Sequence, residues 1–262
     1  MGFPVNDLDR LEELSKGFSD HSGGILDGCV LAIDGFGVQT CCPFRNEVVA
    51  QKDYRFRKGG FAIIVIAGCD VDGRFITALA NHSGSTNDII AWNSSKLHKW
   101  LEIDCGLPSK YFLGGDEAFT NTNQFLSPWP GRGLDRYKDS FNYWLSHSRQ
   151  AIERSFGMLT QRWGIFWRPF RFSFHRWSLV VLASMKLHNF CLDWGDAVPM
   201  QCFYEDVKEG DQWAVYDNAR DDDLDVLLQS RVQIGQLCHR YWAPQMKIHH
   251  HRDLYPSYPL IN

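Results

Sequence analysis

Residues 142–163, NYWLSHSRQAIERSFGMLTQRW, carry two stripes at once. Ile152, Phe156, Leu159 and Trp163 recur at steps of four, three and four, the spacing of a helix that buries one apolar face. Asn142, Ser146, Arg149, Glu153 and Gly157 keep step beside them, and at about 100° per residue these five fall within roughly 80° of one another. Glu153 therefore stands at the edge of a core. By itself it reads as one half of an Arg149–Glu153 pair, i to i+4, worth about 0.2–0.5 kcal/mol. A functional reading needs other carboxylates that converge on the same place.

The flanking chain supplies a sheet for this helix to cover. CVLAID (29–34) is an apolar run of strand length that ends in an aspartate. GGFAIIVIAGCD (59–70) and GRFITALAN (73–81) flank Asp70-Val71-Asp72-Gly73, and Asp-Gly between two β-rich runs predicts a hairpin. KYFLGGD (110–116) is a further buried strand that also finishes in an acid. Helices are predicted over Asp7–Phe18, over Ile89–Leu101 after the GSTND turn (84–88), and over Trp177–Leu192. Residues 120–139, with two prolines and two glycines, read as a loop. Beyond Gly195 the chain is acidic and irregular, with a helix around Leu224–Val232. The order of elements predicts an α/β fold.

With 262 residues, 44% hydrophobic and 14% aromatic, the chain is globular and can bury a large core. No run approaches 18 apolar residues, and the N-terminus, MGFPVNDLDRLEELSKGF, is acidic and amphipathic, so neither a membrane span nor a signal peptide is expected. The eight cysteines are scattered without a CxxC pair and read as reduced, mostly buried thiols of an intracellular protein. His249-His250-His251 reads as a solvated polar tract more readily than as a metal site.

The net charge of −4 is unevenly spread. Residues 203–225 carry a local −7, whereas 132–176 carry +6, with eight arginines among nine bases and aromatic rings interleaved. Arginine suits bidentate phosphate contact, so this stretch reads equally as a nucleic-acid surface or as an aromatic core segment with arginines reaching outward.

Asp34 before Gly35 and Asp116 after Gly114-Gly115 each have an ordinary reading, since aspartate starts turns. Together with Glu153 they share a logic: two strands present carboxylates at a sheet edge and a helix packed on that sheet brings a third. Three such groups suit a hard divalent cation, Mg²⁺ or Mn²⁺. Two ions about 3.5–4 Å apart would serve phosphodiester chemistry.

The stretches AIDG (32–35), YRFRKGGFAIIVIAGCDVDGRF (54–75), GSTNDIIAW (84–92), FLGGDEAF (112–119), FNYWLSHSRQAIERSFGMLTQRW (141–163) and LHNF (187–190) resemble, in order, the catalytic domain of PIF/Harbinger-type transposases and their domesticated nuclease relatives. These belong to the Asp-Asp-Glu transposase superfamily. The resemblance implies an RNase H-like fold with a central mixed sheet flanked by helices, and a divalent-metal-dependent DNA endonuclease and strand-transfer activity. It implies Asp34, Asp116 and Glu153 as catalytic metal ligands holding two Mg²⁺ or Mn²⁺ ions, with 36 residues between Asp116 and Glu153. Asp88 and Arg149 take supporting roles. Lys58, Arg149, Arg162 and Arg168 are the expected DNA contacts. Residues 1–28 are expected to form an N-terminal helix and linker, 29–195 the catalytic domain, and 196–262 an acidic, partly irregular region.

The family usually carries a helix-turn-helix region before the first aspartate, whereas 33 residues precede Asp34, and Phe36 replaces the usual Thr or Ser after AIDG. An alternative is therefore a domesticated, non-catalytic DNA-associated adaptor that works with a Myb/SANT-like partner. A third reading is an RNase H-like ribonuclease acting on RNA–DNA hybrids. The resemblance implies double-stranded DNA as substrate and a nuclear location, and it leaves room for a homo-oligomer.

Overall fold

The computed structural model describes residues 1–103 and 106–195. Five strands form one sheet in the order β3-β2-β1-β4-β5, flanked by helices, which is the predicted α/β, RNase H-like architecture. Two compact units share it: among the described residues, 1–3, 33–103 and 151–195 form one, and 4–32 and 106–150 the other.

In the first unit the predicted hairpin is present, with β2 (Phe61–Cys69) antiparallel to β3 (Phe75–Ser83). Asp70 closes the turn, its Oδ1 accepting from the amides of Asp72 at 3.1 Å and Arg74 at 2.8 Å, while Gly73 takes the φ of +86° that the turn requires. The single helix expected over 89–101 is broken into α2 (Asp88–Asn93) and α3 (Lys96–Ile103). The cause is Ser94-Ser95: Ser94 Oγ donates back to the Ala91 carbonyl at 2.8 Å, and Ser95 Oγ accepts from the His98 amide at 3.0 Å, ending one helix and capping the next. The last helix of the described chain, α5 (Trp177–Asp193), matches its prediction and rests on β3. Asn189 fastens it there, its Oδ1 accepting from Phe75 N at 2.9 Å and its Nδ2 donating to Phe75 O at 2.7 Å.

The strand expected to stop at Asp34 instead runs on: β1 is Cys29–Thr40. Asp34 thus lies within a strand and not at its end. The continuation keeps a period of two, with Val38 and Thr40 buried, and its far end is bonded to Phe170, whose amide donates to Gln39 O at 3.0 Å and whose carbonyl accepts from Cys41 N at 2.9 Å.

In the second unit the first residues of β1 pair in parallel with β4 (Phe112–Gly114), in the register Cys29↔Phe112, Leu31↔Leu113 and Ala32↔Gly114. A short strand, β5 (Phe125–Leu126), lies parallel to β4 inside the stretch predicted as loop. Two residues are too few to show a periodicity, and side chains hold them: Asn121 accepts from Ser127 N at 2.7 Å and donates to Ser127 O at 3.1 Å. The long helix, α4 (Arg136–Arg162), also starts within that expected loop, because Asp135 Oδ1 accepts from the amides of Tyr137 at 3.0 Å and Lys138 at 3.1 Å. The N-terminal helix, α1 (Leu8–His21), is capped by Asp7 and buries Leu11, Leu14 and Phe18. Its Glu12 carboxylate accepts from Tyr111 Oη at 2.7 Å and pairs with Lys110, which pushes the Lys110 ammonium up to about 12.

Cys29 and Cys69 are buried as expected, but Cys41 and Cys42, just past β1, are exposed. The predicted helix around Leu224–Val232 and the His249–His251 tract lie outside the described residues. Among the described residues no helix is long and apolar enough to cross a membrane.

Candidate active site

Within the first unit β1 shows two different faces at Asp34-Gly35-Phe36-Gly37, because successive side chains on a strand point opposite ways. On one face stand Asp34 and Phe36. The Phe36 ring stacks on Phe156 of α4 with centroids 4.8 Å apart and planes at 17°. Asp34 is one strand step from Phe36, about 6.6–6.8 Å along the chain, and Glu153 is three residues before Phe156, about 4.5 Å along the helix axis. Each acid thus lies within three residues of a member of the same stacked pair. Asp34 is half-buried, and its Oδ1 accepts from the Gly35 amide at 2.7 Å. Glu153 is exposed while its neighbours Ile152 and Phe156 are buried, as the two-stripe reading of the helix required.

The other face of β1 explains the two glycines. A β-carbon at Gly35 would lie 2.3 Å from Asp88 Oδ1, and one at Gly37 would lie 2.3 Å from Phe56 Cζ. Asp88, at the start of α2, therefore abuts the side of β1 opposite to Asp34. Arg154, which the sequence did not single out, donates from Nη2 to the Val71 carbonyl at 2.7 Å and ties α4 to the β2–β3 turn.

In the second unit Asp116 follows β4 by two residues and is half-buried. Its Oδ1 accepts from Ala118 N at 2.9 Å and its carbonyl from Phe119 N at 3.2 Å, so it shapes the turn that leaves the strand. The glycines before it are required by packing. A β-carbon at Gly114 would meet Ser148 Oγ at 2.9 Å and Leu145 Cδ1 at 3.2 Å on α4, and one at Gly115 would meet the Phe125 ring at 2.5 Å.

The expected DNA contacts divide by exposure. Lys58 is exposed in a tight turn closed by Phe56 N to Gly60 O at 3.1 Å, with Gly59 and Gly60 at φ +95° and +73°. Arg168 is exposed beside Trp167, itself 72% exposed. Arg149 and Arg162, on α4, are half-buried. Both readings of the arginine-aromatic stretch hold in part: Phe170 and Trp177 are buried core residues, while Arg168, Arg171 and Arg176 point to solvent.

Asp34, Asp116 and Glu153 fit a divalent ion in donor chemistry, offering only the carboxylate oxygens that hard cations prefer. Among the described residues no three His, Cys, Asp or Glu side chains form a ready-made cage.

A mixed five-stranded sheet flanked by helices is the architecture of RNase H-like DDE domains. The chain belongs to the DDE superfamily endonuclease family, whose model matches residues 33–189. It is 25% identical over 202 residues to “Protein ALP1-like” of Arabidopsis thaliana, covering 71% of this chain and 48% of that one. It is 27% identical over 207 residues to the mouse protein named “Putative nuclease HARBI1”, covering 75% and 56%, and 23% identical over 198 residues to its human counterpart, covering 74% and 53%. The chain spans about half the length of these curated relatives. No solved structure matches it.

Proposed function

We propose that this chain is the catalytic domain of a Harbinger-like, divalent-metal-dependent DNA endonuclease that cuts phosphodiesters and transfers the freed 3′ end to target DNA. The observation that supports this reading is the stacking of Phe36, two residues after Asp34, on Phe156, three residues after Glu153. Asp34, Asp116 and Glu153 would hold two Mg²⁺ or Mn²⁺ ions. Such ions, when bound, make water or a 3′-hydroxyl nucleophilic at neutral pH and stabilise the leaving oxygen. The protein's own part is positional. The strand and helix backbones fix the acids, Phe36 and Phe156 keep water from one flank of the site, and Arg149, one turn before Glu153, orients that carboxylate or meets phosphate. Lys58, Arg162 and Arg168 are the proposed backbone contacts to duplex DNA, each adding about one released counterion to the salt dependence of binding.

The test pairs two measurements on the purified chain: nicking of supercoiled plasmid in Mg²⁺ or Mn²⁺, and Mn²⁺ binding by electron paramagnetic resonance. Asp34→Asn, Asp116→Asn and Glu153→Gln should each lower nicking by at least a hundredfold and weaken Mn²⁺ binding. Equal activity of wild type and Asp116→Asn would refute the assignment. A chain that binds neither Mn²⁺ nor DNA at low salt yet retains a Myb/SANT-like partner is the adaptor of the alternative reading. That partner and a nuclear location rest on the family resemblance alone.

A further inference from the structure

The α5 helix has a second apolar face that stays exposed among the described residues. Trp177, Val181, Met185 and His188 are buried beneath it. On the outer side Val180, Ala183, Leu187, Phe190 and Trp194 follow at steps of three, four, three and four, the heptad spacing of a helix that pairs with another helix. Leu187 is 50% exposed, Phe190 57%, Trp194 76% and the adjoining Leu179 66%. Phe190 and Trp194 already rest on each other with ring centroids 5.8 Å apart, so the outer face is an organised ridge. Isolated exposed leucines are ordinary, but a heptad stripe ending in two aromatic rings marks an interaction surface.

We propose that the occupant of this ridge is the α5 of a second copy of the chain, packed antiparallel about a two-fold axis. Two observations favour a second copy. First, the stripe is self-complementary in size. Its small residues, Val180 and Ala183, lie toward the N-terminal end and its large ones toward the C-terminal end. A two-fold axis near residue 185 sets Ala183 against Leu187 of the other copy and Val180 against Phe190, and it brings the exposed Arg176 onto Trp194, a cation–π pairing. A parallel arrangement would set large on large and small on small. Second, the area suffices. Aromatic side chains carry about 150–250 Å² each, so the exposed parts of Leu179, Leu187, Phe190 and Trp194 amount to roughly 500 Å² per copy. The pair would cover roughly 1,000 Å², the threshold for a specific interface. The proposal involves none of the acids assigned to catalysis, and it stands or falls apart from them.

Sedimentation velocity on the full chain between about 1 and 50 µM tests it. The wild type should sediment as a species of twice 30.2 kDa, whereas Phe190→Glu and Trp194→Glu should be monomers with unchanged helical circular dichroism, their dissociation constants raised at least tenfold. Phe190→Leu should restore the dimer. Ile90→Glu, at a 57% exposed apolar position on α2, should leave it intact. If Phe190→Glu loses helical signal, Trp194→Glu decides, because it sits just past the end of α5. A wild type that is monomeric throughout, whether its ridge is bare or covered by residues 196–262, overturns the proposal. So does a folded Trp194→Glu that dimerises as the wild type does, or an Ile90→Glu that dissociates as readily.

Discussion

Replacing Gly35 by alanine tests the two-faced reading of β1. The added β-carbon would sit 2.3 Å from Asp88 Oδ1, 2.5 Å from its Cγ and 2.9 Å from its Oδ2, whereas an ordinary contact needs 3.4–4 Å. The carboxylate must therefore retreat by about an ångström or β1 must bow, and overpacking of this kind costs about 1–3 kcal/mol. At about 2–4 °C per kcal/mol for a domain of this size, the melting temperature should fall by at least 2 °C. Asp88→Ala removes the obstacle, so Gly35→Ala should cost less in its background than in the wild type. The double variant should then be more stable than the sum of the single effects by about 1 kcal/mol or more. Equilibrium urea unfolding of the four proteins, with calorimetry in parallel, measures the coupling. Additivity within about 0.5 kcal/mol would refute the contact, and with it the placement of Asp88 on the side of β1 away from Asp34.

Two further consequences are local. His188 is fully buried, and because the Gly73 carbonyl 3.0 Å from Nε2 can only accept, the ring is a neutral Nε2–H donor. Burial lowers its pKa, the Gly73 carbonyl partly opposes this, and the nearby Arg162 and Arg74 add to it. The unfolded chain therefore takes up this proton first, so the stabilisation is complete above the ordinary histidine pKa of about 6.5 and shrinks as pH falls toward the lower folded value. Urea unfolding at pH 7.5 and 5.5 should show a larger loss for wild type than for His188→Gln, and equal losses would sink the argument. Asn142→Ala removes the acceptor of the Trp129 amide at 2.7 Å and the donor to its carbonyl at 2.9 Å, for a loss of about 1–3 kcal/mol by urea unfolding. A loss below about 0.5 kcal/mol would show that the clamp contributes nothing net.

That last residue shows how a correct pattern can hold mixed roles. Asn142 and Glu153 lie on one polar stripe of α4, yet Asn142 secures a loop while Glu153 faces solvent beside the core. Periodicity specifies which face a residue occupies, and the partner on that face comes from elsewhere in the chain. The same limit explains the errors of extent. β1 runs past Asp34 because Phe156 and Phe170, more than a hundred residues on, receive Phe36 and the end of the strand. β5 was illegible because two residues have no period, and its strand pairing comes from β4.

The amino-acid sequence by itself determined the elements with strong local signals: the β2–β3 hairpin from Asp-Gly between β-rich runs, the amphipathic phase of α4, the helix over 177–192, and the acids at 34, 116 and 153 as a motif. These are encoded in neighbouring residues, where turn chemistry and side-chain periodicity act over a few ångströms. Tertiary structure decided that Asp34 and Asp88 stand on opposite sides of β1, why positions 35, 37, 114 and 115 must be glycine, and that α5 leaves an apolar ridge exposed among the described residues. Those properties depend on which distant atoms occupy the space beside a residue, and packing at interior density, not local propensity, sets that.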